Sequence, residues 1–234
     1  MEKILLALDA HRLPSNTIEF ACYVAQRTHS KLTGLFLEDE RMATPAYIPG
    51  SGDASYGDTD TSNEINVQTI RRFRQLCMDR HTLTDVHLDH GNPLDGILTE
   101  SRSADLMIVD RDSSFGPAGR AARQQFIEDV LLNLECPVLV PPHDFRLLSE
   151  IIFVYRGKDC RFDTLRQFAS LFDGLDERKL LVVTLLNTGK PRPEIMQWLE
   201  GHYRHLEFVD LKESVFGCVT DLLIKKRNTL FVLI

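Results

Sequence analysis

The sequence predicts an α/β protein organised around a parallel sheet and built from two copies of one pattern. Two observations predict it. Short, wholly apolar runs that suit strands buried on both faces alternate with stretches of helical period, which implies βαβ units. The same order occurs twice: an apolar strand, an amphipathic helix, a second strand, and a late Asp-Leu-Met-Ile-Val or Thr-Leu-Phe-Val-Leu strand.

The first copy opens on Ile4-Leu5-Leu6-Ala7-Leu8, which ends at Asp9. After a bend containing Pro14, residues 16–30 place Ile18, Ala21, Cys22, Val24 and Ala25 on one helical stripe, with Asn16 and Glu19 spaced as a capping box. Strand two follows at 32–37. Residues 39–62 are rich in Gly, Ser, Thr, Asp and Pro, have no period, and read as a long surface loop. A helix over 63–80 carries Ile65, Ile70, Phe73, Leu76 and Cys77, and its basic outer face, through Arg71, Arg72 and Arg74, reads as solvated. Val86 and Leu88 alternate with Asp85, His87 and Asp89 in strand three, and Gly91-Asn92-Pro93 turns the chain into a helix with Leu94, Ile97 and Leu98. Strand four is expected at 105–109, a polar loop at 110–119 and a helix at 123–134. Pro137-Val138-Leu139-Val140 is strand five, and Pro141-Pro142 ends the unit.

The second copy is shorter. Residues 151–155 and 180–183 are its first strands, separated by a helix with Leu165, Phe168, Ala169 and Phe172. Pro191 and Pro193 start a helix with Ile195, Met196 and Leu199; Leu206, Phe208 and Val209 form a strand; a helix over 215–227 precedes the strand at 229–234. The expected domains are residues 1–142 and 149–234, the second without a phosphate loop or a fifth strand.

Composition narrows the function classes. The net charge of −7 argues against a nucleic-acid binder, which needs a basic face. No apolar run approaches the roughly 20 residues of a membrane span, and Met1-Glu2-Lys3 leads directly into a core strand, so neither a membrane segment nor a signal peptide is expected. The five cysteines, Cys22, Cys77, Cys136, Cys160 and Cys218, are scattered and mostly apolar in setting, which suits reduced thiols in a cytoplasm. Alternation along strand three puts His87 with Asp85 and Asp89 but turns His90 away, so these residues and His81 read as a solvated strand and not a metal site. His202 and His205 suit a helix end, where cations favour the dipole. No Ser-His-Asp order, nucleophile elbow or HExxH motif points to catalysis.

Four segments together resemble the universal stress protein family in order and spacing. They are the opening strand to Asp9, Gly91-Asn92-Pro93-Leu94-Asp95-Gly96-Ile97, Ala104-Asp105-Leu106-Met107-Ile108-Val109, and Cys136-Pro137-Val138-Leu139-Val140. The resemblance covers the first unit well and the second through its element order. It implies a doubly wound, Rossmann-like sheet of order 3-2-1-4-5, duplicated in tandem, with Cys136 a packing residue. Nucleotide-binding members of the family hold ATP at the carboxyl ends of strands one and four, through Gly-x2-Gly-x9-Gly-(Ser/Thr). Glycine lets the backbone approach the phosphates, and the last pair opens a helix whose dipole favours an anion.

The family-equivalent positions here are Asp9, Val109, Asp110, Ser113, Gln124 and Gln125. Counting forward from Val109 puts Asp110 and Ser113 at the first two glycines, and counting back from Cys136 puts Gln124-Gln125 at the final pair. All three glycines are replaced. Asp110 and Asp112 bring carboxylates to the triphosphate position, which Arg111, Arg120 and Arg123 would partly offset. Gly116-Pro117-Ala118-Gly119 begins too far beyond strand four and reads as a turn, and Arg156 stands at the Asp9 position of the second unit. The expectation is a non-catalytic stress-response or partner-binding module without a cofactor, unable to bind ATP in the family's usual way; the alternative is an AMP- or ATP-binding switch in the first crevice. The last strand, 229–234, leaves an apolar edge. Two solutions are expected: Pro137–Val140 pairs with its equivalent in a second chain to give a homodimer, or it docks on that edge within the chain.

Overall fold

The computed structural model describes residues 2–9, 12–39, 59–113, 125, 126, 129, 130, 133–155, 165, 166, 168, 169, 177–184, 191–210, 222, 223 and 225–233. In the first half β1 (Lys3–Asp9), α1 (Ser15–Thr28), β2 (Lys31–Asp39), α2 (Thr59–Met78), β3 (Thr84–Gly91), α3 (Pro93–Ser101), β4 (Leu106–Val109) and β5 (Val138–Val140) follow one another. The second half contains β6 (Glu150–Tyr155), β7 (Lys179–Thr184), α4 (Pro193–His202), β8 (His205–Asp210) and β9 (Thr229–Leu233).

The strands form one nine-stranded sheet of order β3-β2-β1-β4-β5-β9-β6-β7-β8. The first half shows the expected 3-2-1-4-5 order, and the second repeats 3-2-1-4. Two features differ from a pair of parallel sheets. The halves are continuous, and they join through an antiparallel pair in which Val138, Leu139 and Val140 face Leu233, Val232 and Phe231. Of the two expected solutions for the open edge, the chain takes the internal one. With β4 on one side and β9 on the other, β5 has no edge left for a homodimer through Pro137–Val140.

The alternation of each strand sorts its apolar side chains into two cores. Ile4, Leu6, Leu8, Ile108, Leu139, Phe153 and Val232 pack on one face under α1, α2, α4 and the helical residues Leu165 and Phe168. Leu5, Ala7, Met107, Val109, Val140, Val154 and Phe231 pack on the other under Ile97 of α3, Val130, Leu134 and Leu223. Both cores run through both halves, so helices cover the two faces as a doubly wound sheet requires.

Local signals account for most boundaries. Asn92 caps α3, its side chain accepting from Leu94 N at 3.0 Å, with Pro93 at the first helical position. Asp105 precedes β4 and accepts from the backbone of Glu2 and Lys3 at 2.6 and 3.1 Å, which sets the register of β4 on β1 and lowers the Asp105 pKa. The capping box expected from Asn16 and Glu19 does not form. Helix α1 begins earlier, after Pro14, with no side-chain cap. Asn16 Nδ2 donates instead to His143 O at 2.6 Å, and Glu19 pairs with Arg146 at 2.7 Å. Tertiary partners outbid the local pattern because both side chains lie at the seam where residues 143–146 cross α1.

Gly34 in β2 marks a close approach. The ring of Phe73 on α2 lies over it, edge-to-face with Phe36 at 5.6 Å, and an added Cβ would come within 2.7 Å of that ring. Gly34→Ala therefore overpacks the α2 interface. We expect a loss of about 1–3 kcal/mol in urea unfolding at unchanged m value; a variant as stable as the parent would show that α2 shifts freely.

Candidate functional site

A crevice of about 230 Å³ opens at the carboxyl ends of the strands, between the first turn of α1 and the residues after β4 and β5. It lies at the switch point of the sheet, since α1 leaves β1 toward one face while α3 approaches β4 on the other. Arg12, Asn16, Thr17, Asp110, Asp112 and His143 are among the lining residues.

Asp110 dominates the crevice. It is 6% exposed, and its Oδ1 accepts from Thr17 Oγ1 at 2.7 Å. Oδ2 is buried without a hydrogen bond, with Arg12 Nη1 3.5 Å away. Burial raises the Asp110 pKa, against the opposing effects of the Thr17 hydroxyl and the Arg12 charge. Arg12 also donates to Asp112 O at 2.9 Å and approaches the Asp112 carboxylate, as His143 does at 3.7 Å. The half-exposed Arg12 thus spans both acids.

Arg111 does not line up against those acids as a phosphate counter-charge. Its guanidinium turns into the seam between the halves and is spent on main-chain carbonyls. Nε donates to Pro141 O at 3.1 Å; Nη1 donates to Leu223 O at 3.3 Å and Lys226 O at 2.9 Å; Nη2 donates to Thr229 O at 2.9 Å. The ring of Phe231 lies below it at 5.8 Å. The carbonyls of Leu223 and Lys226 belong to the end of a helical stretch, where a cation is favoured, and the guanidinium keeps its charge although burial lowers its pKa.

The other predicted positions separate. Val109 is core in β4, opposite Ala7. Asp9 ends β1, and its carbonyl accepts from Arg12 N at 3.0 Å, which forms the turn that delivers Arg12 to the crevice. Ser113 is buried and closes a turn onto Asp110 O. Gln125 is an exposed helical residue bonded to Asp129 at 3.0 Å. Gln124, Arg120, Arg123, Arg156, residues 116–119, Cys160 and Cys218 lie outside the described residues. Sequence reasoning missed Thr17, Arg12 and His143; a Pro-bounded turn directly after strand one is the signal that placed Arg12 and Thr17 near the switch point.

The histidines find separate partners. His90 meets Glu38 at 3.0 Å, Asp85 meets Lys31 at 2.5 Å, and His202 stacks on Trp198 with its Nδ1 2.8 Å from Trp198 O. Among the described residues no group of three or more metal-ligating side chains converges, and no helix is long and apolar enough to cross a membrane.

The fold defines a tandem, doubly wound α/β protein with a crevice at the switch point of its first half. Among solved structures it is the fold of universal stress proteins. The chain matches the universal stress protein from Archaeoglobus fulgidus DSM 4304 at 13% identity and TM-score 0.62, over 99% of this chain and 95% of that one. It also matches a functionally unknown protein from Pseudomonas aeruginosa PAO1 at 12% identity and TM-score 0.52, over 100% and 92%. No family model matches the sequence, and no curated protein matches it significantly.

Two outcomes are expected from this geometry. Arg111→Met leaves the carbonyls of Pro141, Leu223, Lys226 and Thr229 without their donor and costs about 2–4 kcal/mol in chemical unfolding; a neutral result would mean that water replaces the guanidinium. Asp110 has a folded pKa above its unfolded value, so the folded state binds more protons between the two. Its contribution is therefore greatest in acid and is lost as pH rises from about 3.8 through the raised folded value. Asp110→Asn should accordingly gain stability relative to the parent over that window in urea melts at stepped pH, with no gain below it. A gain that fails to grow with pH would contradict the burial effect.

Proposed function

We propose that the chain is a universal stress protein of the cytoplasm that works as a non-catalytic, partner-binding module, and that its first crevice does not hold ATP in the family's usual way. One observation carries this reading: the position expected for the first phosphate-binding glycine holds a buried carboxylate, Asp110, whose Oδ2 accepts no hydrogen bond and has the Arg12 guanidinium 3.5 Å away. A triphosphate there meets like charge in a partly dry site, a repulsion on the order of a few kcal/mol. Arg111 cannot offset it while its donors serve four carbonyls. The whole-length likeness to a universal stress protein supports the class, and the adjacent thiols of Cys22 and Cys77, free of a disulfide, support a reducing compartment.

A second reading, an AMP- or ATP-responsive switch, draws on the crevice itself, which remains open beside the first turn of α1 with Arg12 and His143 at its rim. Titration calorimetry with ATP and Mg²⁺, and with AMP, separates the two. The first reading expects no heat and no thermal shift. Binding tighter than about 100 μM, roughly −5.5 kcal/mol, would favour the switch.

A further inference from the structure

Helices α1 and α2 meet through two cysteines. Cys22 and Cys77 are 1% and 0% exposed, and their sulfurs lie 3.7 Å apart although 55 residues separate them in the chain. Each is held by well-packed neighbours: Cys22 sits on the buried stripe of α1 with Ala21 and Ala25, and Cys77 is one helical turn from Phe73 on α2. The sulfurs need to close by less than 2 Å to reach the roughly 2.05 Å of a disulfide bond. No other pair of described cysteines is in sulfur contact; Cys136 packs on the opposite face of the sheet.

We infer that Cys22 and Cys77 form a reversible, peroxide-oxidisable dithiol that staples α1 to the last turn of α2. The surroundings favour Cys22 as the first to react, since the Thr82 hydroxyl is a hydrogen-bond partner of its sulfur. The Cys77 thiol hydrogen-bonds to Cys22 and, with Thr82 and the Arg80 charge, lowers the Cys22 pKa against the effect of burial, while Cys77 is raised. Cys22 is the attacking thiolate. Its sulfur displaces hydroxide from hydrogen peroxide as the O–O bond breaks, and the hydroxide takes a proton to become water, leaving Cys22 as sulfenic acid. The Cys77 sulfur then attacks the Cys22 sulfur; the S–S bond forms, the S–O bond breaks, and the hydroxyl leaves as water with the Cys77 proton. Two thiols are oxidised and one peroxide is reduced to two waters.

Access is through the turn after α2, where Gln26 Nε2 donates to Arg80 O and Glu19 pairs with Arg80 at 3.9 Å over the buried pair. His81 in this turn has φ 51°, in the left-handed region, and its N–H donates to Met78 O of the last turn of α2 at 2.9 Å. A peroxide little larger than water needs only local opening there. The resulting bond fixes α1, whose first turn lines the crevice, to α2.

The test treats the full-length protein with hydrogen peroxide, alkylates remaining thiols under denaturing conditions, and maps peptides by mass spectrometry. The expected result is a Cys22–Cys77 crosslink in most chains, reversed by dithiothreitol, with the thermal midpoint of the oxidised protein raised by several degrees. In Cys77→Ser the crosslink is lost and Cys22 accumulates as a sulfenic acid trapped by dimedone. The inference is overturned if peroxide leaves both thiols open to alkylation, if it links Cys22 to a different cysteine, or if Cys22 goes to the sulfinic acid in the parent protein without a disulfide. The mapping of the parent protein decides the matter even where the serine variant fails to fold.

Discussion

The guanidinium of Arg111 joins the two halves of this protein, and the geometry around the crevice follows from where it goes. It leaves the end of β4 and satisfies four carbonyls drawn from the end of β5, from residues 223 and 226, and from the start of β9. Three of these four hydrogen bonds are buried, so removing their donor takes a partner from acceptors with little access to water. Because β9 runs antiparallel to β5, its first residue comes to the same end of the sheet as the last residue of β5. A single planar donor set can therefore reach both. Lysine, with a point charge and three donors, could not serve four acceptors in this arrangement.

The antiparallel pair also resolves an edge that a shortened second half would leave exposed. A five-strand unit and a four-strand unit each end on a buried apolar strand, and neither edge suits water. Pairing them makes one sheet whose free edges are β3 and β8, where the exposed polar side chains Asp85 and His87 alternate on β3 and His205 and Glu207 on β8. The two cores become continuous through both halves, so each half supports the other's central strands.

The same economy shapes the crevice. With Arg111 committed to the seam, the acids Asp110 and Asp112 are left to Arg12, Thr17 and His143, and the pocket is acidic within a rim that is only partly basic. The aspartate directly after β4 puts a buried acidic side chain at the crevice wall. The charge of the crevice and the tie between the halves are thus two consequences of adjacent residues, Asp110 and Arg111, pointing in different directions.

Much of this was legible in the sequence. The apolar runs identified the strands, their alternation sorted Leu5 and Ala7 from Ile4 and Leu6, and Asn92-Pro93 placed the start of α3. These are local properties, set by backbone period and by the conformational needs of single residues, and one strand at a time suffices to read them. What the tertiary structure alone decided depends on which distant segments meet. Asn16 looked like a cap and instead reaches His143, 127 residues away. Arg111 looked like a phosphate counter-charge and instead bonds Thr229, 118 residues away. Cys22 and Cys77 looked like separate core thiols and are in contact. A side chain's chemistry is written in the sequence, but its partner is chosen by sheet order and helix packing, which bring donor and acceptor together only after the chain has folded.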